Sequence, residues 1–180
     1  MADAGFPFEL PATLVAEGFS LRAETDADVP FAMQLYASTR EDELAQVDWS
    51  AEQKSLFLAQ QFAAQRHHYK TQMACDFALI EHHGAPVGRL YLEQRQTQIS
   101  IVDIALMPDA RGRGVGRAII EALIATAAVS GRGIGIFVER FNPALRLYRR
   151  LGFTEISETE VYLEMERAYE PGGDQPKHAS

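Results

Sequence analysis

The stretch Arg111-Gly112-Arg113-Gly114-Val115-Gly116 constrains this chain most, because of what flanks it. Upstream, Ile99-Ser100-Ile101-Val102-Asp103-Ile104-Ala105-Leu106 is short and β-branched, the pattern of a strand. Downstream, Ala118, Ile119, Ala122, Leu123 and Thr126 recur at helical spacing. A strand, a Gly-rich turn carrying two cations and a helix N-terminus together make a site for a phosphorylated ligand. Glycine lets backbone N–H groups approach phosphate closely, and the helix dipole favours negative charge there.

Known phosphate loops divide on the details. A Walker A loop requires Gly-x-x-x-x-Gly-Lys-Ser/Thr, and this chain has neither that lysine nor that hydroxyl. A dinucleotide fingerprint requires a third glycine where Arg117 or Ile119 stands, and an acidic residue about 20 residues further on. What remains is Arg-x-x-Gly-x-Gly ahead of a helix, preceded by a strand and Pro108.

Composition narrows the setting. With 47% hydrophobic and 23% charged residues in 180, the chain reads as an ordinary globular protein. A chain this long can bury roughly 70% of its unfolded surface in one domain. The expected organisation is a single domain over residues 1–170 and a disordered tail over residues 171–180, with Met1 to Phe8 loosely ordered. A net charge of −8 argues against nucleic-acid binding and permits a cationic substrate. Lone Cys75 excludes an internal disulfide and reads as a plain buried thiol, which fits the cytoplasm. No secretory leader and no run approaching the ~20 residues of a membrane span are present in the sequence. His67-His68 and His82-His83 lack the cysteines or carboxylates that would complete a metal set, so no metal is expected.

The remaining elements follow from periodicity. Phe19 to Arg22 alternates as a strand, and acidic caps at Asp26 and Asp28 precede a helix bearing Phe31, Leu35 and Tyr36. Ser50 caps a second helix running to about His68. Strands over Phe77 to Glu81, Pro86 to Glu93 and Thr97 to Leu106 are joined by connectors short enough for hairpins. A helix from Val115 to about Val129, a strand over Ile134 to Glu139, a helix with Asn142 as cap and Pro143 in its first turn, and a strand over Val161 to Met165 complete the order. The fold class is a mixed α/β sheet, β-α-α-β-β-β-α-β-α-β, with a further strand near Thr154 to Ile156.

Two segments carry a family resemblance. Val102 to Gly116 resembles the Arg/Gln-x-x-Gly-x-Gly pyrophosphate loop of the GNAT superfamily of acyl-CoA-dependent N-acetyltransferases. Asn142-Pro143-Ala144-Leu145-Arg146-Leu147-Tyr148-Arg149-Arg150-Leu151-Gly152-Phe153 resembles that family's asparagine, leucine-tyrosine and glycine-phenylalanine signature. The resemblance covers the chain from about Leu21 to Met165 and implies a mostly antiparallel sheet splayed at the coenzyme site. It implies acetyl-CoA as co-substrate, with Arg111, Gly112, Arg113, Gly114, Val115, Gly116 and Arg117 at the pyrophosphate. Either Arg111 or Arg113 would add a guanidinium there. The backbone of Ile104, Ala105 and Leu106 would meet the pantetheine arm or the oxyanion, and Asn142 would contact that arm.

Direct attack by an amine on the thioester needs a proton acceptor and a proton donor. The resemblance puts Tyr148 beside the departing sulfur as acid. Asp103 is the carboxylate within the strand motif and the candidate base, with a salt bridge to Arg89 or a water chain as the alternatives. Where other members carry an acid earlier on this strand, the chain has Gln98 and Ser100. Glu139, Asp42 and Trp49 are candidate contacts for the acceptor, a small-molecule or peptide amine. Many members pair as homodimers through the sheet or the C-terminal region. A non-catalytic acyl-CoA sensor, or an acyltransferase using a different acyl-CoA, would carry the same motifs.

Overall fold

Seven strands, β1 (Phe19–Ala23), β2 (Cys75–His82), β3 (Ala85–Gln94), β4 (Gln98–Leu106), β5 (Gly133–Glu139), β6 (Thr154–Glu158) and β7 (Tyr162–Arg167), form one sheet in the order β1-β2-β3-β4-β5-β7-β6, and every neighbouring pair except β4–β5 is antiparallel. The computed structural model describes residues 6–171. Along the chain come α1 (Ala12–Ala16), β1 (Phe19–Ala23), α2 (Val29–Ser38), α3 (Glu41–Ala45) and α4 (Ala51–Gln72). The meander β2 (Cys75–His82), β3 (Ala85–Gln94) and β4 (Gln98–Leu106) follows, then α5 (Val115–Val129) and β5 (Gly133–Glu139). The chain finishes with α6 (Leu145–Arg150), β6 (Thr154–Glu158) and β7 (Tyr162–Arg167).

The mixed α/β architecture is the one expected from periodicity. Three details differ. Helices α1 and α3 span five residues each, too short to leave a periodic signal. Helix α4 continues past His68 to Gln72 from a capping box in which Ser50 and Gln53 bond reciprocally. Phe8, placed in a loose segment by composition, is 5% exposed and packs in the main core with Leu14 and Phe19. Residues 1–5 and 172–180 of the expected loose ends lie outside the described residues.

The main core lies between the sheet and α5. Ile119, Ile120 and Leu123 of α5 meet Leu90, Leu92, Ile99, Ile101, Ile134 and Met165. Full burial of a side chain of this size contributes roughly 1.5–3 kcal/mol. The opposite face carries a smaller cluster, in which Tyr36 and Ala32 of α2 meet Phe62 of α4.

Strand β4 decides where the site forms. Leu92 pairs with Ile101 and Tyr91 with Asp103, so Val102 is an extra residue, a β-bulge. Side chains alternate across a strand, and one inserted residue reverses the parity. Ile99 and Ile101 face the core before the bulge, and Ile104 and Leu106 pack against it afterwards. Asp103 is thereby turned to the face away from α5, with Arg89. The parallel pairing with β5 runs from Gln98–Gly133 to Ile101–Ile136 and stops there, at the bulge. Beyond it, Val102 to Leu106 and Phe137 to Glu139 diverge.

Among the described residues, no helix is long and apolar enough to cross a membrane.

On β3, a Cβ added at Gly88 would stand 2.5 Å from the Ala105 carbonyl oxygen, which is backbone and cannot swing aside. Gly88→Ala is therefore expected to destabilise the fold by about 1–3 kcal/mol through overpacking. Urea unfolding monitored by circular dichroism measures it, and an unchanged midpoint would contradict the close β3–β4 approach.

Candidate functional site

Where β4 and β5 part, a cleft of about 790 Å³ opens, lined on one side by Asp103, Ile104 and Ala105 and on the other by Phe137, Glu139 and Asn142. The Met107 N–H donates to Val87 O at 2.8 Å, toward β3. Peptide groups alternate in direction along a strand, so those of Ile104 and Leu106 point the other way, to the open edge. That edge offers hydrogen bonds to an extended ligand as an added strand would.

The Gly-rich turn stands at one end of the opening. Gly112 and Gly114 have φ of +70° and +84°, the left-handed region that glycine enters at little cost. The first helical bond of α5 runs from Ala118 N to Gly114 O, leaving the N–H groups of Val115, Gly116 and Arg117 without an intrahelical acceptor. No acidic side chain sits in that first turn. Arg113 is exposed and makes no ion pair among the described residues, while Arg117 pairs with Glu121 at 2.9 Å. Arg111 is engaged elsewhere: its Nε donates to Leu106 O at 2.7 Å and its Nη2 to Ser38 Oγ at 2.9 Å. Of the two guanidiniums offered for a pyrophosphate, Arg113 is the one free of protein partners among the described residues.

Tyr148 lines the cleft from α6, buried to 4% exposure against Phe153. Its hydroxyl has no hydrogen-bond partner among the described residues. Burial pushes its pKa well above the usual phenol value, and the Asp103 charge adds to that shift. The phenol therefore stays protonated at neutral pH. Asp103 is held by the nearly buried Arg89 at 2.6 Å and by the Tyr69 hydroxyl at 3.4 Å, both on Oδ2. Its Oδ1 has no partner among the described residues. The ion-pair reading of Asp103 with Arg89 is thus the arrangement found, although the carboxylate still lines the cleft.

Glu139 lies at the end of β5, where Arg40 grips it through two bonds of 2.5 and 3.1 Å. Asp42 lines the mouth of the cleft with Glu43 and Glu160. Trp49 does not reach it: the indole packs edge-on against Phe57, 5.3 Å between centroids. Asn142 Oδ1 accepts from Ala144 N at 2.8 Å, capping the turn that leads into α6. Helix α6 begins at Leu145, two residues later than Pro143 suggested.

Sequence reasoning passed over Arg40, Tyr36, Tyr69 and Tyr162, all of which line the cleft. Tyr69 had a signal, since Gln65 and Tyr69 are four apart on α4 and both reach the Arg89–Asp103 pair. Arg40 had none, standing beside Glu41, Asp42 and Glu43 in what reads as a solvated run. Among the described residues, no group of three or more His, Cys, Asp or Glu is placed to hold a metal. Cys75 is half-buried, and burial pushes its thiol up to about 11.

Residues 74–155 match the family model described as an acetyltransferase (GNAT) domain. No curated protein matches the sequence. Among solved structures, the chain is similar to the PaiA N-acetyltransferase of Thermoplasma acidophilum in complex with coenzyme A. The TM-score is 0.63 and the identity 13%, over 84% of this chain and 99% of that one. It is similar also to yncA of Salmonella typhimurium with its cofactor acetyl-CoA, at TM-score 0.51 and 15% identity over 89% and 99% of the two chains. The ribosomal-protein-S18-alanine N-acetyltransferase of Escherichia coli gives 0.54 and 18% over 88% and 99%. At these identities the likeness to the solved structures is one of fold.

The buried phenols predict alkaline sensitivity. Burial is the main cause raising Tyr69, Tyr91 and Tyr148 above the ordinary value, which is about 10 in an unfolded chain. A raised pKa contributes stability that is full below the unfolded value and lost as pH rises through it toward the folded one. The melting temperature should therefore fall above about pH 10, and Tyr148→Phe should blunt the fall. A melting temperature flat across that range would show that these phenols ionise freely in the folded protein.

Proposed function

We propose that this chain, a member of the GNAT superfamily, transfers the acetyl group of acetyl-CoA directly to a primary amine, with Tyr148 as general acid. The observation that carries this reading is the early end of the β4–β5 pairing. It leaves an open strand edge between a bare helix N-terminus and a buried, unpartnered phenol. Such an opening suits an extended ligand with a pyrophosphate at one end and a thioester at the other. The coenzyme or acetyl-CoA bound by the PaiA and yncA neighbours is such a ligand.

In this mechanism the N–H groups of Val115, Gly116 and Arg117 hold the pyrophosphate with help from Arg113. The Ile104 carbonyl and the Leu106 N–H pair with the pantetheine amides, and Asn142 closes on the arm from the β5 side. The acceptor amine attacks the acetyl carbonyl, and the Ile104 N–H meets the oxyanion that forms. The free Oδ1 of Asp103 accepts the hydrogen bond of the amine and gives its proton a way out to solvent. Arg89 on Oδ2 holds that carboxylate in its orientation. As the tetrahedral intermediate collapses, the C–S bond breaks and Tyr148 protonates the departing thiolate.

The acceptor is a cationic amine. Both guanidiniums of the cleft already hold carboxylates, Arg89 with Asp103 and Arg40 with Glu139. Asp42 and Glu160 at the mouth have no ion-pair partner among the described residues, so the entry carries net negative charge. A field of this sign concentrates ammonium groups at the opening.

Thiol release from acetyl-CoA across a panel of primary amines tests the reaction. Tyr148→Phe is expected to lower kcat by about 10²–10⁴-fold while leaving coenzyme affinity unchanged. Binding without thiol release for any amine would instead favour a sensor of acyl-CoA. A Cβ at Gly114 meets no protein atom within 4 Å, so the space in front of it is open to a ligand. Gly114→Val should therefore weaken coenzyme binding by at least about tenfold, ~1.4 kcal/mol, by filling that space and by straining a backbone held at φ +84°. Calorimetric titration with coenzyme A decides it, and an unchanged affinity would remove the loop from the binding site.

A further inference from the structure

Arg111 begins the Gly-rich loop in sequence, yet its side chain reaches back to the acceptor side of the molecule. Nε donates to Leu106 O at 2.7 Å, and Nη2 donates to Ser38 Oγ at 2.9 Å and to Ser38 O at 3.3 Å. Ser38 is buried and its hydroxyl proton goes to Leu35 O at 2.7 Å, so a lone pair is what it turns to Arg111. Ser38 is the last residue of α2, and a cation there satisfies an orphan carbonyl and the negative end of the helix dipole. Two residues on, Arg40 lies over the Tyr36 ring and forks onto Glu139 at 2.5 and 3.1 Å.

The end of α2 therefore spans the opening. It is fastened to the end of β4 through Arg111 and to the end of β5 through Arg40 and Glu139. Pairing between the two strands has already ended at Ile101 and Ile136, so β4 and β5 do not set their own separation at these ends. The strut does. Its Arg111 end needs a planar fork that serves a carbonyl and a hydroxyl at once, which a lysine ammonium cannot reproduce from a single point.

We propose that Arg111 is a positioning residue, which holds the end of α2 and thereby the width of the acceptor cleft instead of gripping the pyrophosphate of the coenzyme. The proposal rests on the acetyl-CoA reading above only for the identity of the ligand whose pyrophosphate it leaves alone. It separates the loop's two arginines by role: Arg113 faces the phosphate, and Arg111 ties the loop to the acceptor helix.

Arg111→Lys and Arg111→Gln test it, with Ser38→Ala removing the hydroxyl partner from the other side. In all three, hydrogen exchange of a peptide spanning residues 36–41 should quicken, while β2 and β3 exchange as in the parent. Affinity for coenzyme A should change by less than about threefold in both Arg111 variants. For the best amine of the panel, KM should rise about tenfold while the KM for acetyl-CoA stays near its parent value. The proposal is overturned if Arg111→Gln loses more than about tenfold in coenzyme A affinity, Arg111→Lys keeps it, and S-acetylpantetheine, which lacks the pyrophosphate, binds all variants alike. It is overturned also if exchange over residues 36–41 is unchanged. A parent protein that binds no coenzyme A would end the acetyl-transfer reading, and the exchange measurement would still decide the strut.

Discussion

The site exists because the hydrogen bonding between β4 and β5 stops after four residue pairs. Backbone N–H and C=O groups in a folded interior must find partners, and an interior sheet edge left unpaired carries a free-energy cost. The sheet meets that cost by putting the open edge at a cleft open to solvent, where water can serve the groups that no strand does. The bulge at Val102 is the local cause. It bends β4 away, and it also reverses the strand's parity, so that the same residue insertion opens the cleft and swings Asp103 into it. The same residues run through β4 without a bulge would keep the alternation of Ile99 and Ile101 and turn Asp103 toward α5.

The wall built around that opening is polar where a core would be apolar. Helix α4 buries only Phe62 and sits on the sheet through Gln65, Arg66 and Tyr69, which bond to Arg89, Glu24 and Asp103. Tyr91 donates to the same Glu24. Ion pairs of this kind add little net stability, because desolvation offsets most of the attraction, but each member is costly to orphan. Their effect is on geometry. A greasy seam tolerates sliding by a fraction of a turn, whereas a guanidinium shared between Gln65 and Asp103 holds only in one register. This wall of the cleft is therefore held in register by interactions that do little for the stability of the fold as a whole.

That division explains what the sequence disclosed. The strands of the meander, helix α5 and the two motifs are local patterns, and their residues lie within a few positions of one another. The Gly-rich loop was legible because φ near +84° at Gly114 needs a residue type that marks itself. The bulge was not legible, since β-branched runs read alike with or without an extra residue. Arg40–Glu139, 99 positions apart, and Arg111–Ser38, 73 apart, were invisible for a different reason. Each is a pair of ordinary residues whose meaning lies in the crossing of elements distant in sequence. Arg111 illustrates the limit most sharply, because its place in a phosphate-loop pattern suggested a ligand contact and its fork is engaged by protein.

The arrangement of charge along the cleft then follows from which groups remain unpaired. At the α5 end, free N–H groups and Arg113 leave a positive site. At the mouth, Asp42 and Glu160 leave a negative one. Had Arg40 and Arg89 stood unpaired, their charge would have cancelled that of the negative end. Their pairing with Glu139 and Asp103 keeps both guanidiniums as structural cations and leaves the sign of the mouth to the rim. With screening over ~8 Å at physiological ionic strength, rim carboxylates act on a charge at the mouth more than on one at the far end. On the proposed function, one opening then favours an anionic donor and a cationic acceptor together, because internal ion pairing keeps the two fields from meeting.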